Sequence, residues 1–108
     1  MTIALPKPIE LYFTSENARD IAATDRCFTT DATVRDEGKT MSGLAAIRAW
    51  RAEAARKYQH TVEPLAVGTR DGKVVVSGKV SGTFPGSPIT LDHTFELADD
   101  RIASLVIG

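Results

Sequence analysis

Apolar residues recur at helical spacing near the start of the chain and again in its middle, whereas two-residue alternation governs most of the second half. Pro8 suits the first turn of a helix, where its missing N–H has no partner to lose. Ile9, Tyr12, Phe13 and Glu16 follow at helical spacing, three of them able to face inward. Asn17–Arg19 reads as a short connection. Asp20 is a suitable N-cap for a second short helix carrying Ile21, Thr24, Cys27 and Phe28 along one side. Ala32–Asp36 then alternates with period two and predicts a strand. Glu37–Gly38 turns it into a brief partner, Lys39–Met41. Ser42 and Gly43 open the longest helix, Leu44–Tyr58, which is rich in Ala and carries Ile47, Trp50, Ala54 and Tyr58 on one stripe.

Four further strands are predicted. Thr61–Thr69 ends at Arg70-Asp71-Gly72-Lys73, where Asp-Gly favours a type I′ hairpin turn. Val74–Phe84 sets Val74, Val76, Val80 and Phe84 on one face. Pro85-Gly86-Ser87-Pro88 reverses the chain. Ile89–Leu97 then places Ile89, Leu91, His93, Phe95 and Leu97 inward, with Thr90, Asp92, Thr94 and Glu96 outward. Ala98-Asp99-Asp100 turns into the last strand, Arg101–Ile107. Such alternation fits an antiparallel sheet with helices over its apolar face, an α+β domain. The outward face is expected to expose Val75, Leu105 and Ile107, which points to a homodimer.

Composition narrows the function classes. The 108 residues read as one domain over 1–108, with room for a core and a small cavity. A formal net charge of -1 argues against non-specific nucleic-acid binding, which needs surplus Lys and Arg. No apolar run approaches the length of a membrane span, and Met1–Pro8 lacks the pattern of a signal peptide. Cys27 is single, so no intramolecular disulfide can form. With His60 and His93 far apart in the chain, no metal-site spacing is present and no metal or cofactor is expected. The expected location is the cytoplasm.

The element order, with Phe28-Thr29-Thr30-Asp31-Ala32-Thr33-Val34-Arg35-Asp36 followed by Ser42-Gly43-Leu44-Ala45-Ala46-Ile47-Arg48, resembles the nuclear transport factor 2-like superfamily, in its SnoaL-like and ketosteroid-isomerase-like branch. The corner Asn17-Ala18-Arg19-Asp20 is similar to the family's N-A-G-D corner, with Arg19 where Gly is usual. The resemblance implies a cone: a curved, mostly antiparallel sheet around a long helix, with two further N-terminal helices, enclosing a pocket.

The same resemblance implies site residues. The oxyanion-binding tyrosine of ketosteroid isomerases falls on Tyr12 and their general-base aspartate on Asp36. Their second oxyanion donor lies in a run comparable to Asp92-His93-Thr94-Phe95. His93 takes its place if Phe95 sets the register, and Asp92 if the Asp-His pair does. Alternation favours His93 inward.

Read from the residues themselves, Asp36 shares a strand face with Ala32 and Val34, so it points beneath the helices. Desolvation there raises a carboxyl pKa and makes a better base near neutrality. A buried Tyr12 phenol needs a partner for its hydroxyl. Phe28, Trp50 and Phe95 are candidate ligand-binding residues, although Trp50 and Tyr58 also suit packing against the sheet. Cys27 reads as a small buried hydrophobe, and His60 as solvent-exposed. Gly78 and Gly82 allow the sheet to bend around a cavity. Two functions fit. One is cofactor-independent proton transfer, isomerisation or cyclisation, on a small apolar carbonyl compound. The other is a non-catalytic module that binds a small hydrophobic ligand or dimerises.

Overall fold

The computed structural model describes residues 4–108; Met1–Ile3, which belong to the stretch weighed above for a signal peptide, lie outside it. The first helix, α1, spans Lys7–Ala18 with Pro8 in its opening turn. It buries Glu16 as well as Ile9, Tyr12 and Phe13, so all four residues of the stripe face inward. The helix runs through Asn17 and Ala18, and Arg19 ends it in the left-handed region at φ 56°. That conformation suits glycine, which accounts for the glycine usual at this corner. Asn17 is not a connection but a clamp: its side-chain amide donates to the Val62 carbonyl at 2.9 Å and accepts from the Val62 N–H at 2.8 Å.

Asp20 does not cap the next helix through its side chain. Its carboxylate instead meets exposed Arg26 at 3.8 Å. A 3₁₀ turn at Ile21–Ala23 leads into the single turn of α2, Thr24–Cys27. Strand β1 then covers Phe28–Asp36, four residues earlier than alternation alone predicts, because Phe28 already pairs with Ile102. Strand β2 is Lys39–Ser42 and helix α3 is Leu44–Tyr58. Strands β3 (Thr61–Arg70), β4 (Lys73–Ser81), β5 (Ile89–Ala98) and β6 (Arg101–Ile107) complete the chain. Strand β4 stops short of Phe84, since the Gly82 N–H bonds the Ser87 hydroxyl at 2.9 Å instead of a neighbouring strand. Phe84 packs edge-on against Tyr58.

One six-stranded sheet results, in the order β2-β1-β6-β5-β4-β3. Every neighbouring pair is antiparallel except β1 and β6, which run parallel and join the two halves of the chain. Three hairpins turn on two residues with positive φ, namely Glu37–Gly38, Asp71–Gly72 and Asp99–Asp100. Positive φ at both central positions is the mark of type I′ turns, whose twist matches that of the strands they join. The helices cover the concave face. There Tyr12, Phe13, Phe28, Ile47, Val76, Phe95, Ile102 and Leu105 make the core. Among the described residues, no helix is long and apolar enough to cross a membrane.

A bulge in β6 corrects the expected outward face. Glu96 pairs with Ser104 while Leu97 pairs with Ile102, so Ala103 is an extra residue. It resets the alternation, and both Ile102 and Leu105 are fully buried. Ile107 pairs with His93 and faces inward too. Of the three residues expected outside, only Val75 remains there, joined by exposed Val106.

Gly78 serves close approach. A methyl group on it would lie 2.9 Å from His93 Cε1 and 2.9 Å from Val62 Cγ2. Both neighbours are held by packing, so Gly78→Ala is expected to cost about 1–3 kcal/mol by overpacking. Urea denaturation of the two proteins measures it; an unchanged midpoint would show that the His93 ring moves freely.

Candidate functional site

Alternation along β1 puts Ala32, Val34 and Asp36 on the concave face, with Asp36 half-buried where the strand ends. Trp50 on α3 donates its indole N–H to Asp36 Oδ2 at 3.3 Å. Burial pushes the Asp36 carboxyl above its ordinary range, the Trp50 hydrogen bond works against this, and the Glu37 charge adds to it. Trp50 is therefore a polar partner of the proposed base as well as a packing residue.

Tyr12 projects from α1 into the centre of the fold, 2% exposed. Its ring meets Phe13, Phe28 and Phe95 edge-on, with centroids 5.2, 5.9 and 5.7 Å away. These edge-to-face contacts fill the space around the Phe28 and Phe95 rings, which are themselves fully buried. No hydrogen bond to the Tyr12 hydroxyl is found among the described residues, and burial raises its pKa well above the usual value. The charges of Glu16 and Asp36 add to that rise, while Arg51 opposes it.

His93 lies on the concave face, 3% exposed, with its ring 5.4 Å from Phe13 and stacked at 6.5 Å on Phe95. Its Nδ1 is 3.1 Å from the Leu91 carbonyl, an acceptor that an Nδ1–H would meet. Asp92 sits on the opposite face, 3.4 Å from the Ser77 hydroxyl. His93 reaches Tyr12 only through Phe13 and Phe95, and the Asp36–Trp50 pair stands apart from this aromatic cluster. Among the described residues, no three His, Cys, Asp or Glu side chains gather to hold a metal ion.

Sequence reasoning missed the strongest polar feature of the interior. Arg51 on α3 is 1% exposed. Its Nε donates to Glu16 Oε1 at 2.9 Å, its Nη1 to the Thr24 hydroxyl at 3.0 Å and its Nη2 to the Ser15 hydroxyl at 2.6 Å. Its Cζ lies 5.2 Å from the centroid of the Tyr12 ring. The other Glu16 oxygen bonds His60 Nε2 at 2.8 Å. His60 is therefore not solvent-exposed as its place after a helix implied; Glu16 draws it inward, and its buried Nδ1 finds no partner among the described residues. Burial alone would raise the Glu16 carboxyl, but the His60 hydrogen bond and the Arg51 charge outweigh it and hold the pKa below the ordinary value. The available signal was a charge four residues after a core position on each helix: Glu16 after Tyr12, and Arg51 after Ile47.

Acid should reveal the buried histidine. Burial disfavours the His93 imidazolium and lowers its pKa, against a smaller opposing effect of the Leu91 carbonyl. An unfolded histidine titrates near ~6.5, so the stability tied to neutral His93 is complete above that pH and declines below it, toward the lower folded value. Glu16 is lowered too, and its contribution goes only as the pH falls below the carboxylate range, ~4.3. Denaturation midpoints should therefore fall as the pH drops below about 6.5 in the parent, and far less in His93→Gln. Superimposable pH profiles would contradict the assignment.

The comparisons agree with this architecture. The family model of the SnoaL-like domain matches residues 9–105. Among solved structures, a candidate polyketide cyclase from Sinorhizobium meliloti is 39% identical, with a TM-score of 0.92 over 96% of this chain and 95% of that one. A Catenulispora acidiphila protein with a ketosteroid isomerase-like fold, solved with trimethylamine, is 18% identical over 97% of this chain and 86% of its own, with a TM-score of 0.83. An epoxide hydrolase of M. tuberculosis, LEH-like, is 13% identical over 94% and 79% of the two chains, at a TM-score of 0.77. At these identities the last two show the fold alone. Among curated proteins, none matches the sequence. With a matching family model over almost its whole length and a cone of six strands around three helices, this chain belongs to the SnoaL-like domain family of the nuclear transport factor 2-like superfamily.

Proposed function

We propose that the protein catalyses cofactor-independent proton transfer, an isomerisation or cyclisation, on a small apolar carbonyl compound. The observation that carries this reading is the state of Asp36: a half-buried carboxylate at the open end of an apolar strand face, its pKa raised by desolvation. A base so placed removes a proton next to a carbonyl at near-neutral pH. Negative charge then develops on the carbonyl oxygen, and the Tyr12 hydroxyl, which makes no hydrogen bond among the described residues, is the donor to meet it. His93 belongs to the proposed site as a neutral ring on the same concave face. Phe28, Phe95 and Trp50 supply the apolar and aromatic lining. The 39% identical candidate polyketide cyclase supports a carbonyl-rich substrate.

A second reading rests on the packing. Tyr12, Phe28 and Phe95 are buried, and two open depressions of about 350 and 500 Å³ lie elsewhere. The first is on the outer face at Val75, Ser77 and Asp92; the second lies between Pro6–Pro8 and the β5–β6 turn. A non-catalytic module binding a small hydrophobic ligand uses the same fold without exposing Tyr12.

Substitution separates the two. Asp36→Asn removes the proton acceptor and is expected to lower turnover by ~10²–10⁴-fold. Tyr12→Phe removes one oxyanion donor, at a loss of about 10²–10³-fold. Both keep the core volume and should fold as the parent does. The screen uses β,γ-unsaturated ketones and polyketide-like carbonyl compounds with all three proteins. Turnover indifferent to Asp36→Asn discards the mechanism; binding that survives Asp36→Asn with no turnover favours the module.

The proposal extends to a cytoplasmic homodimer joined through the outer sheet face. Val75 and the 45% exposed Val106 supply its apolar centre. Sedimentation at micromolar concentration should show a dimer that Val106→Lys disrupts. A parent that sediments as monomer removes the idea.

A further inference from the structure

We propose that Arg51, held by Glu16, is the positioning residue that fixes the Tyr12 ring and sets the strength of its hydroxyl as a hydrogen-bond donor. This rests on the role given to Tyr12 above.

A guanidinium is always charged in proteins and carries five N–H donors. Arg51 gives two of its nitrogens, Nε and Nη2, to the helix turn that bears Tyr12. Its Nη2 donates to the Ser15 hydroxyl at 2.6 Å and lies 3.5 Å from the Tyr12 carbonyl. Ser15 in turn donates its own proton to that carbonyl at 3.0 Å. The turn from Tyr12 to Glu16 is thereby tied to α3 at three successive points: a carbonyl, a hydroxyl and a carboxylate. Tertiary packing alone does not require this. A buried ion pair is often matched in stability by apolar residues of similar volume.

The geometry also acts on the phenol. The guanidinium carbon lies 5.2 Å from the Tyr12 ring centroid, within the reach of a cation–π contact. A positive charge against the ring favours electron density moving off the hydroxyl, which strengthens it as a donor to a developing oxyanion. The Glu16 carboxylate, one helical turn along, opposes this. Two opposite charges thus set one hydroxyl, and the balance between them is adjustable. Asp36 and Cys27 are the other titratable groups acting on Tyr12; the Cys27 thiol lies 3.9 Å from the Ser15 hydroxyl that Arg51 holds and feels the Arg51 charge, and Asp36 feels that of Glu16.

A purely structural clamp predicts that removing either partner loosens the fold and does nothing of opposite sign to Tyr12. Tuning predicts opposite signs. The chain has two tyrosines, so Tyr58→Phe leaves Tyr12 alone, and difluorotyrosine at position 12, with its more acidic phenol, brings the ionisation to lower pH. In that background Arg51→Met should raise the Tyr12 titration by about one pH unit, and Glu16→Gln should lower it by a similar amount. Phenolate absorbance reads both directly, without any substrate. Tyr12 unmoved in either folded variant, or both moved in one direction, overturns the proposal. If only one single variant folds, the sign of its shift decides.

If neither folds, the double variant Glu16→Gln/Arg51→Met leaves no buried charge unpaired and serves instead. Its Tyr12 ring should flip faster by NMR than the parent's, and an unchanged flip rate overturns the proposal. Should the shifts occur while no carbonyl compound is turned over, the tuning stands and the enzymatic reading falls. Where turnover is found, Arg51→Met should lower kcat about tenfold with KM little changed, since the donor acts in the transition state.

Discussion

A guanidinium removed from water must find acceptors for its donors, and the buried Arg51 can do so only if α1, α2 and α3 meet at one point. It bonds Ser15 and Glu16 from α1 and Thr24 from α2 while standing on α3. The two hydroxyls it uses have already committed their protons to backbone carbonyls, Ser15 to Tyr12 and Thr24 to Ile21. Their lone pairs are therefore free to accept from Arg51. Glu16 then passes the network to His60, at the entry of β3. Asn17 fastens the same edge by holding both backbone groups of Val62. Breaking one member leaves another buried and unpaired, the costly kind of polar loss. The helical layer is thus placed on the sheet by polar geometry as much as by apolar burial.

The sheet supplies the complementary constraint through parity. Inward and outward residues alternate, so each extra residue changes which side chains the helices cover. Ala103 in β6 brings Leu105 and Ile107 to the concave side and leaves Val106 outside. Strand β1 keeps its parity over Ala32, Val34 and Asp36, which delivers a carboxylate to the end of an apolar row. Position at the end of the row matters. Farther along, Asp36 would be fully desolvated; beyond the turn, it would be in bulk water.

Most of the fold was legible because its signals are local. Asp71–Gly72 and Glu37–Gly38 announce their turns, and the period of β4 and β5 assigns His93 inward and Asp92 outward. Long-range pairing was not legible. Nothing in Phe28 itself says that it begins a strand, because its partner Ile102 lies at the far end of the chain. The bulge at Ala103 has no glycine or proline to mark it. In the site, Tyr12 and Asp36 could be named from resemblance, and alternation supported the facing of Asp36. Glu16, Arg51 and His60 were hidden by the ordinary expectation that charged side chains on amphipathic helices face water. That expectation fails where two opposite charges occupy core stripes of different helices, since each removes the other's reason to be outside.

The interior therefore holds two polar arrangements of different character. One, Arg51 with Glu16, His60, Ser15 and Thr24, is almost fully satisfied. The other groups are sparsely satisfied: Asp36 has one long hydrogen bond from Trp50, and, apart from that pair, the Tyr12 hydroxyl has no hydrogen bond among the described residues. Unpaired polar groups beside an apolar wall are unfavourable for folding, and a ligand able to pair them would recover that energy on binding. A site of this kind needs its donors held in place, because donors stabilise developing charge best when they need no reorganisation as it forms. The satisfied cluster holds α1 still, and α1 holds Tyr12. Under the proposed function, the part of the structure that looks most like pure architecture is what keeps the Tyr12 donor in place.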